Sequence, residues 1–298
     1  MNNDLEHRGY SAANGILGVA AFSLVVLVSG LASPTPGPEW AQAFGYAPAD
    51  IHSIDVGDFG YPYVPVDVAS THLMLPFDTG NMVGVSLSTD LFDEIGLAAD
   101  GSWSRRNSAG EVVASLRVAD AVDVSVLGRD IGPTRVYELD HPSLAGLVGP
   151  TILDGGHFTL DYASRRLGLG ATGLPDSVRG FRKIPLVRSK RHPMLVLVHG
   201  TVEGRPVLIE FDTGKSRTVI NPALASELAL KRGRRGVAIR NLRVGGLTFE
   251  VPSAKEVDQT GIDPDLPEPI MAGIGSDVLS RFVWTVDYDG GVLWVPTS

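Results

Sequence analysis

Two aspartates stand in identical surroundings in this chain. Phe77-Asp78-Thr79-Gly80 recurs 134 residues later (212 − 78) as Phe211-Asp212-Thr213-Gly214. Each copy closes an apolar run, Leu73-Met74-Leu75-Pro76 in the first and Val207-Leu208-Ile209-Glu210 in the second. One Asp-Thr-Gly triplet is ordinary turn chemistry. Two of them, each ending a strand-like run, are two carboxylates that a fold can bring together. Carboxylates held close cannot both ionise cheaply, so they share a proton. The ionised member can then deprotonate a water, while the protonated member hydrogen-bonds a carbonyl oxygen and later protonates a leaving amine. Neither a metal nor a covalent intermediate is needed. Which aspartate starts protonated is a property of the pair.

The elements that would carry these turns also repeat. After the first turn comes the apolar stretch Val83-Gly84-Val85-Ser86-Leu87. Ser88 or Thr89 then caps a short helix carrying Leu91, Phe92 and Ile95. After the second come Thr218-Val219-Ile220, Asn221 as an N-cap, Pro222 in the first turn, and a stripe of Leu224, Leu228 and Leu230. Both copies read strand, Asp-Thr-Gly turn, strand, capped helix.

A second matched pair lies further on. Gly146-Leu147-Val148-Gly149 precedes Phe158-Thr159-Leu160-Asp161-Tyr162, and Gly273-Ile274-Gly275 precedes Trp284-Thr285-Val286-Asp287-Tyr288. Gly149 to Asp161 and Gly275 to Asp287 are both 12 residues (161 − 149 and 287 − 275). Agreement in order, identity and spacing marks two copies of one supersecondary unit.

On these residues the chain resembles the aspartic proteases of the pepsin and retroviral-protease superfamily. That pattern is a hydrophobic strand, Asp-Thr-Gly, then a later segment of two hydrophobic residues and Gly. Leu147-Val148-Gly149 fits the second motif, and Gly273-Ile274-Gly275 fits it with Gly in place of the first apolar residue. Retroviral enzymes carry one copy and dimerise, whereas pepsin-like enzymes carry both in one chain, as here. The resemblance spans about residues 50–298. It implies an all-β fold of two pseudo-symmetric barrel lobes with short helices. It implies hydrolysis of internal peptide bonds by a dyad of Asp78 and Asp212, with no cofactor. It also implies that the Thr79 and Thr213 hydroxyls bond across to the opposite loop. Gly80 and Gly214 leave room for N–H groups to reach the carboxylates.

The residue after each turn departs from the small residue usual in that family: Asn81 in one copy, Lys215 in the other. Asn81 can donate to a carboxylate. Lys215 either points to solvent or sits by the dyad. In the second case its charge favours ionised carboxylates, retuning the site toward neutral pH or inactivating it. The alternative function is then an inactive, membrane-anchored module that binds peptide or glycan. A substrate-covering flap is expected from the first lobe, between Trp103 and Val118, with Ser108, Ala109 and Gly110 at the hairpin tip. Trp103 is the aromatic candidate there, although an aromatic at a strand end often serves packing. The second half offers only the short stretch Arg232 to Gly236.

Composition agrees with a turn-rich β fold: 35 Gly, 20 Pro, 44% hydrophobic and 20% charged residues. Alternation recurs in Val64-Pro65-Val66-Asp67-Val68 and in Val122-Asp123-Val124-Ser125-Val126. A net charge of −9 gives no ground for nucleic-acid binding. With no cysteine there is no disulfide, zinc–thiolate site or thiol nucleophile. The histidines show no metal-ligand spacing. Gly168-Leu169-Gly170-Ala171-Thr172-Gly173 matches a dinucleotide fingerprint in letters but lacks a following helix pattern, so it reads as a turn. Asp161 and Asp287 are repeat-symmetric, but the family pattern makes them structural. Residues 15–32 form an uncharged, mostly apolar run, either a signal-peptide core or a short membrane anchor; both place the lobes outside the cytoplasm. Ser33-Pro34-Thr35-Pro36-Gly37-Pro38 reads as a stiff linker. The expected organisation is residues 1–48 as leader or anchor and linker, 49–172 as the N-terminal lobe and 173–298 as the C-terminal lobe. The partner expected is a polypeptide substrate, and the chain is expected to be a monomer.

Overall fold

The computed structural model describes residues 38–297 apart from 108, 109, 142, 154, 171 and 172. The expected leader or anchor at 15–32, the first part of the linker, the hairpin-tip residues Ser108 and Ala109, and Ala171 and Thr172 at the expected lobe junction lie outside the described residues. Among those described, no helix is long and apolar enough to cross a membrane.

The chain is mostly β, with a few short helices. The strand Pro62–Val68 shows how the pattern works: Pro62, Val64, Val66 and Val68 are buried and the residues between are half-exposed. Period-two alternation puts one face on a core and one toward water. Pro62–Val68 pairs with Thr71–Pro76 in a hairpin and with Val112–Val126 on its other side. The sheet continues through Arg129–Leu139 and Val85–Ser88 to Gly146–Val148. Val85–Ser88 runs parallel to Arg129–Leu139 and antiparallel to Gly146–Val148. A bridge from Phe77 to Val148 brings the sheet's far end back to the turn that carries Asp78.

The C-terminal half closes completely. Leu197–Val202, Arg205–Phe211, Ile270–Ile274, Val219–Ile220, Leu247–Glu256 and Gly236–Val244 pair in that order, and Gly236–Val244 pairs back onto Leu197–Val202. Here too the short strand, Val219–Ile220, is parallel to one neighbour and antiparallel to the other. Closure leaves these six strands without a free edge.

A six-stranded sheet draws on both halves. His157–Asp161 pairs with Trp284–Asp287, the matched segments read from sequence, with Thr159 opposite Thr285 and their hydroxyls 2.6 Å apart. Asp161 accepts from Trp40 Nε1 at 2.8 Å and from Ser164, and Asp287 accepts from the Gly290 N–H at 2.7 Å. These aspartates close turns and anchor the N-terminal helix. That helix, Glu39–Phe44, lies in the stretch assigned to the linker region. It buries Trp40 and Phe44 in a small cluster with Trp294 and Val178. The main core is continuous between the two halves: Phe77, Phe158, Trp284 and Phe211 form a chain of edge-on aromatic contacts.

Both expected helix starts are present. Ser88 Oγ accepts from the Leu91 N–H at 3.3 Å above Thr89–Glu94. Asn221 Oδ1 accepts from the Ala223 N–H at 2.8 Å above Pro222–Glu227, whose Leu224 and Ala225 are buried.

Candidate active site

Asp78 and Asp212 follow directly on two strands that end at the centre of the molecule. Each turn is tied to a neighbouring strand: the Asp78 N–H donates to Val148 O at 2.8 Å, and the Asp212 N–H donates to Ile274 O at 3.0 Å. Val148 and Ile274 belong to the hydrophobic–Gly segments picked out by the repeat. The second motif therefore presses each aspartate turn from behind.

The two turns lock together through their threonines. Thr79 Oγ1 donates to Phe211 O at 2.8 Å and accepts from the Thr213 N–H at 3.0 Å. Thr213 Oγ1 donates to Phe77 O at 2.6 Å and accepts from the Thr79 N–H at 3.0 Å. Both threonines are fully buried. Four backbone groups at strand ends, which would otherwise lack partners, are satisfied by two side chains.

The glycines bring the carboxyls together. The Gly80 N–H donates to Asp78 Oδ1 and the Gly214 N–H to Asp212 Oδ1, each at 2.8 Å. Each glycine also backs onto the opposite aspartate. A Cβ at Gly80 would lie 2.5 Å from Asp212 Oδ2, and one at Gly214 would lie 2.3 Å from Asp78 Cγ. Only a hydrogen fits at these two positions. Each carboxyl therefore lies directly against the opposite turn. Removal from water, then the charge of Asp212 and the bond shared with it, push the Asp78 carboxyl well above the usual range; the Gly80 N–H and the charge of Lys215 oppose this.

Lys215 does not point to solvent, and the outward reading is corrected. Its ammonium donates to Asp212 Oδ2 and, at 2.7 Å, to Glu210 Oε2. Burial pulls the Lys215 ammonium down, but Asp212 and then Glu210 outweigh it and hold it above its ordinary value, so it stays charged. The cause of the inward turn is Glu210, a carboxylate 1% exposed among the otherwise apolar buried residues 207–211. A buried carboxylate needs a partner. Glu210 takes Lys215 and the Gln259 amide, which donates at 2.6 Å. Desolvation still lifts the Glu210 carboxyl, against the pull of Lys215. Asn81 Oδ1 accepts from the Val83 N–H at 3.3 Å, and its Nδ2 is buried without a hydrogen-bond partner.

Asp78, Thr79, Gly80, Asp212, Thr213 and Gly214 thus converge. The other sequence candidates lie on a long hairpin, Gly101–Arg106 with Val112–Val126. Trp103 is on its first strand, edge-on to Tyr137 with ring centres 5.4 Å apart, and its Nε1 donates to Glu138 O at 3.3 Å. Near the tip, Gly110 comes so close to the C-terminal half that an added Cβ would lie 3.1 Å from Gly261 O. The matching hairpin of the C-terminal half is short, with Arg232–Gly233 against Gly236–Val244.

Glu210, Gln259 and Tyr61 were missed from sequence. Tyr61 lies within the field of both aspartates; desolvation first, then the charge of Asp78, pushes its phenol up. Glu210 had a signal, a single charge inside a buried run. Gln259 and Tyr61 had none, because their places depend on tertiary packing. Among the described residues, no group of three or more His, Asp or Glu side chains is arranged to hold a metal ion. No protein-family model matches the chain, and a search of curated proteins finds no match.

Proposed function

We propose that this chain is an aspartic endopeptidase with two pseudo-symmetric, acid-protease-like lobes and one dyad, Asp78 and Asp212. The observation that carries the reading is the mutual fit of the two turns. Each aspartate accepts its own glycine's N–H while its carboxyl abuts the opposite glycine. A pair of simple chain turns has no need of this reciprocity. The parallel–antiparallel pairing of Val85–Ser88 and of Val219–Ile220 supports two copies of one lobe.

In the reaction, the ionised member of the pair takes a proton from water as its oxygen bonds the peptide carbonyl carbon. The protonated member gives its proton to the carbonyl oxygen, leaving a tetrahedral diol. As that collapses, the C–N bond breaks, the amine nitrogen receives one proton from the dyad and a diol hydroxyl returns one to it, leaving the carboxylic acid and the shared-proton pair. The hairpin Gly101–Arg106/Val112–Val126 acts as the flap, with Gly110 near its tip. The substrate is an extended polypeptide, the working unit is a monomer, and residues 15–32 place the lobes outside the cytoplasm as leader or anchor.

The Lys215 contact favours a second reading. An ammonium on Asp212 takes up one of its oxygens, and a cleft so altered can hold a peptide or glycan without cutting it. A defined peptide mixture, incubated from pH 3 to 8 and read by mass spectrometry, separates the two. Internal cleavage that a statine-type mimic blocks and that Asp78→Asn or Asp212→Asn abolishes supports the enzyme. Saturable peptide binding with no cleavage at any pH supports the module.

A further inference from the structure

We propose that Glu210 and Gln259 are positioning residues that hold Lys215 on Asp212, so that Asp212 is the standing base of the dyad and Asp78 its standing proton carrier. This rests on the endopeptidase reading and deepens it. An ordinary pair of like aspartates has no built-in difference between its members. Here the two are unlike. Asp78 has the Gly80 N–H and the facing carboxyl; Asp212 has the Gly214 N–H and a lysine ammonium on its second oxygen.

The lysine is held from behind. Glu210 Oε2 accepts Lys215 Nζ at 2.7 Å and Gln259 Nε2 at 2.6 Å, and both Glu210 and Gln259 are 1% exposed. Neither touches Asp78 or Asp212 by a hydrogen bond. Gln259 acts on the dyad through the ammonium it helps to place, and Glu210 acts both through the ammonium and by its own charge on Asp212. Lys215 is therefore shared between two carboxylates, and Glu210 tempers the charge that Asp212 feels. Were the lysine wholly committed to Asp212, that carboxylate would be a weaker base; were it absent, the proton would pass freely between the aspartates.

The titratable groups facing this cluster are few. Among the described residues they are Asp78 and Asp212, Glu210 on the strand Arg205–Phe211, Lys215, Tyr61 from the loop before Pro62–Val68 and Tyr162 from the turn after His157–Asp161. Burial keeps both phenols neutral well above the working range. Gln259 adds a dipole and no charge. The protons that matter are those of the three carboxyls.

Two isosteric changes push the site in opposite directions. Glu210→Gln removes a negative charge and leaves Lys215 to Asp212 alone, which shifts the dyad's titration to lower pH. Lys215→Met removes the cation, which shifts it to higher pH. The Lys215→Met displacement is about 1–3 pH units, as for a charge at contact, and the Glu210→Gln displacement is smaller because that carboxylate is not in contact with the dyad. Lys215→Arg, which keeps the cation, leaves it near its original position. The experiment is a carbon-13 NMR titration of the full chain, selectively labelled at aspartate carboxyls and assigned through Asp78→Asn and Asp212→Asn, run beside kcat/KM profiles on a quenched peptide. Opposite shifts of the Asp212 carboxyl in the first two variants, with Asp78 the later to ionise in the parent, support the proposal. If the Asp212 midpoint is unmoved by either variant, or moves the same way in both, it is overturned. The NMR readout does not need turnover. Opposite shifts in a chain that cuts no peptide would sink the endopeptidase reading and leave the charge arrangement standing. Uniform loss of activity at every pH with no carboxyl shift would mean that the cluster is structural only, and would overturn it too.

Discussion

Thr79 and Thr213 hold each other's turn: each hydroxyl accepts the other residue's N–H at 3.0 Å, and each donates to the carbonyl just before the other's aspartate, at 2.8 and 2.6 Å. These four bonds cross between the two halves of the chain and fix how far apart Asp78 and Asp212 stand. Thr213→Val keeps the shape of the side chain but orphans Phe77 O and the Thr79 N–H in the interior. The expected cost is about 1–3 kcal/mol for each buried group left unpaired. Urea unfolding should show a lower midpoint at unchanged slope. Activity should fall further than stability explains, because the carboxyls lose their spacing.

Gly80 and Gly214 make a second prediction. Gly80→Ala places a methyl where Asp212 Oδ2 now sits, since the ideal Cβ position is 2.5 Å from that oxygen. The aspartates must separate. Misplacement of this order costs about 10²-fold in rate. Peptide cleavage should drop by that factor while circular dichroism and the thermal midpoint change little. A wild-type rate in Gly80→Ala would mean that the two carboxyls do not work as a pair.

Asp78 gives the site a signature in stability. Its folded pKa is raised above the unfolded value, chiefly by desolvation. The native state binds the proton more tightly than the unfolded chain, so this contribution is complete below the unfolded pKa of about 3.9 and is lost as pH climbs toward the folded value. Asp78→Asn has no proton to lose. Its thermal midpoint relative to the parent should rise from pH 3 to pH 7, and the same variant should lose about 10²–10⁴-fold in cleavage rate. A constant difference in midpoint across that range would contradict the raised pKa.

Much of this was legible because the signals were local. The Asp-Thr-Gly turns, the Asn221-Pro222 helix start and the strand pair Phe158–Tyr162 and Trp284–Tyr288 each sit within a few consecutive residues, and repetition doubled each signal. The closed pairing of the C-terminal strands was legible only as a β-rich tendency, since register depends on partners far away in sequence. Lys215 was misjudged as a possible surface residue because its direction is decided by Glu210, five positions earlier, and Glu210 is decided by burial. A glutamate ending the run Val207-Leu208-Ile209 reads as a strand end until its side chain is known to face the interior. Gln259 and Tyr61 reach the site from loops whose course no periodicity records.

Glu138 carries an opposite pH dependence away from the dyad. It accepts from Arg117 Nη2 at 3.0 Å, from the Arg117 N–H at 2.8 Å and from Thr89 Oγ1 at 2.8 Å. The Arg117 guanidinium is the main cause that brings its carboxyl down to about 2. A depressed folded pKa contributes stability above the unfolded value, and that contribution fades as pH falls from about 4.5 to about 2. Glu138 joins the base of the long hairpin to the helix Thr89–Glu94, so acid should loosen that region. Glu138→Gln should unfold more easily than the parent at pH 6 and match it near pH 2. An equal deficit at both values would mean that the loss is one of packing.

Gly110 tests whether the long hairpin serves the site. It has φ +83°, which L side chains rarely adopt, and an added Cβ would lie 3.1 Å from Gly261 O. Gly110→Val is therefore strained twice: in its backbone, at a cost of about 1–3 kcal/mol, and against the opposite half. Nothing in the hydrophobic core depends on it, so global unfolding should scarcely move. The strain should instead lift the tip away from the Gly261 loop. If the hairpin covers a bound peptide, KM should rise several-fold, and susceptibility of the tip to limited proteolysis should rise with it. A kcat that falls with KM unchanged would mean that the tip contributes to the chemical step. An unchanged KM and kcat, with the tip cut more readily, would separate the hairpin from substrate binding altogether.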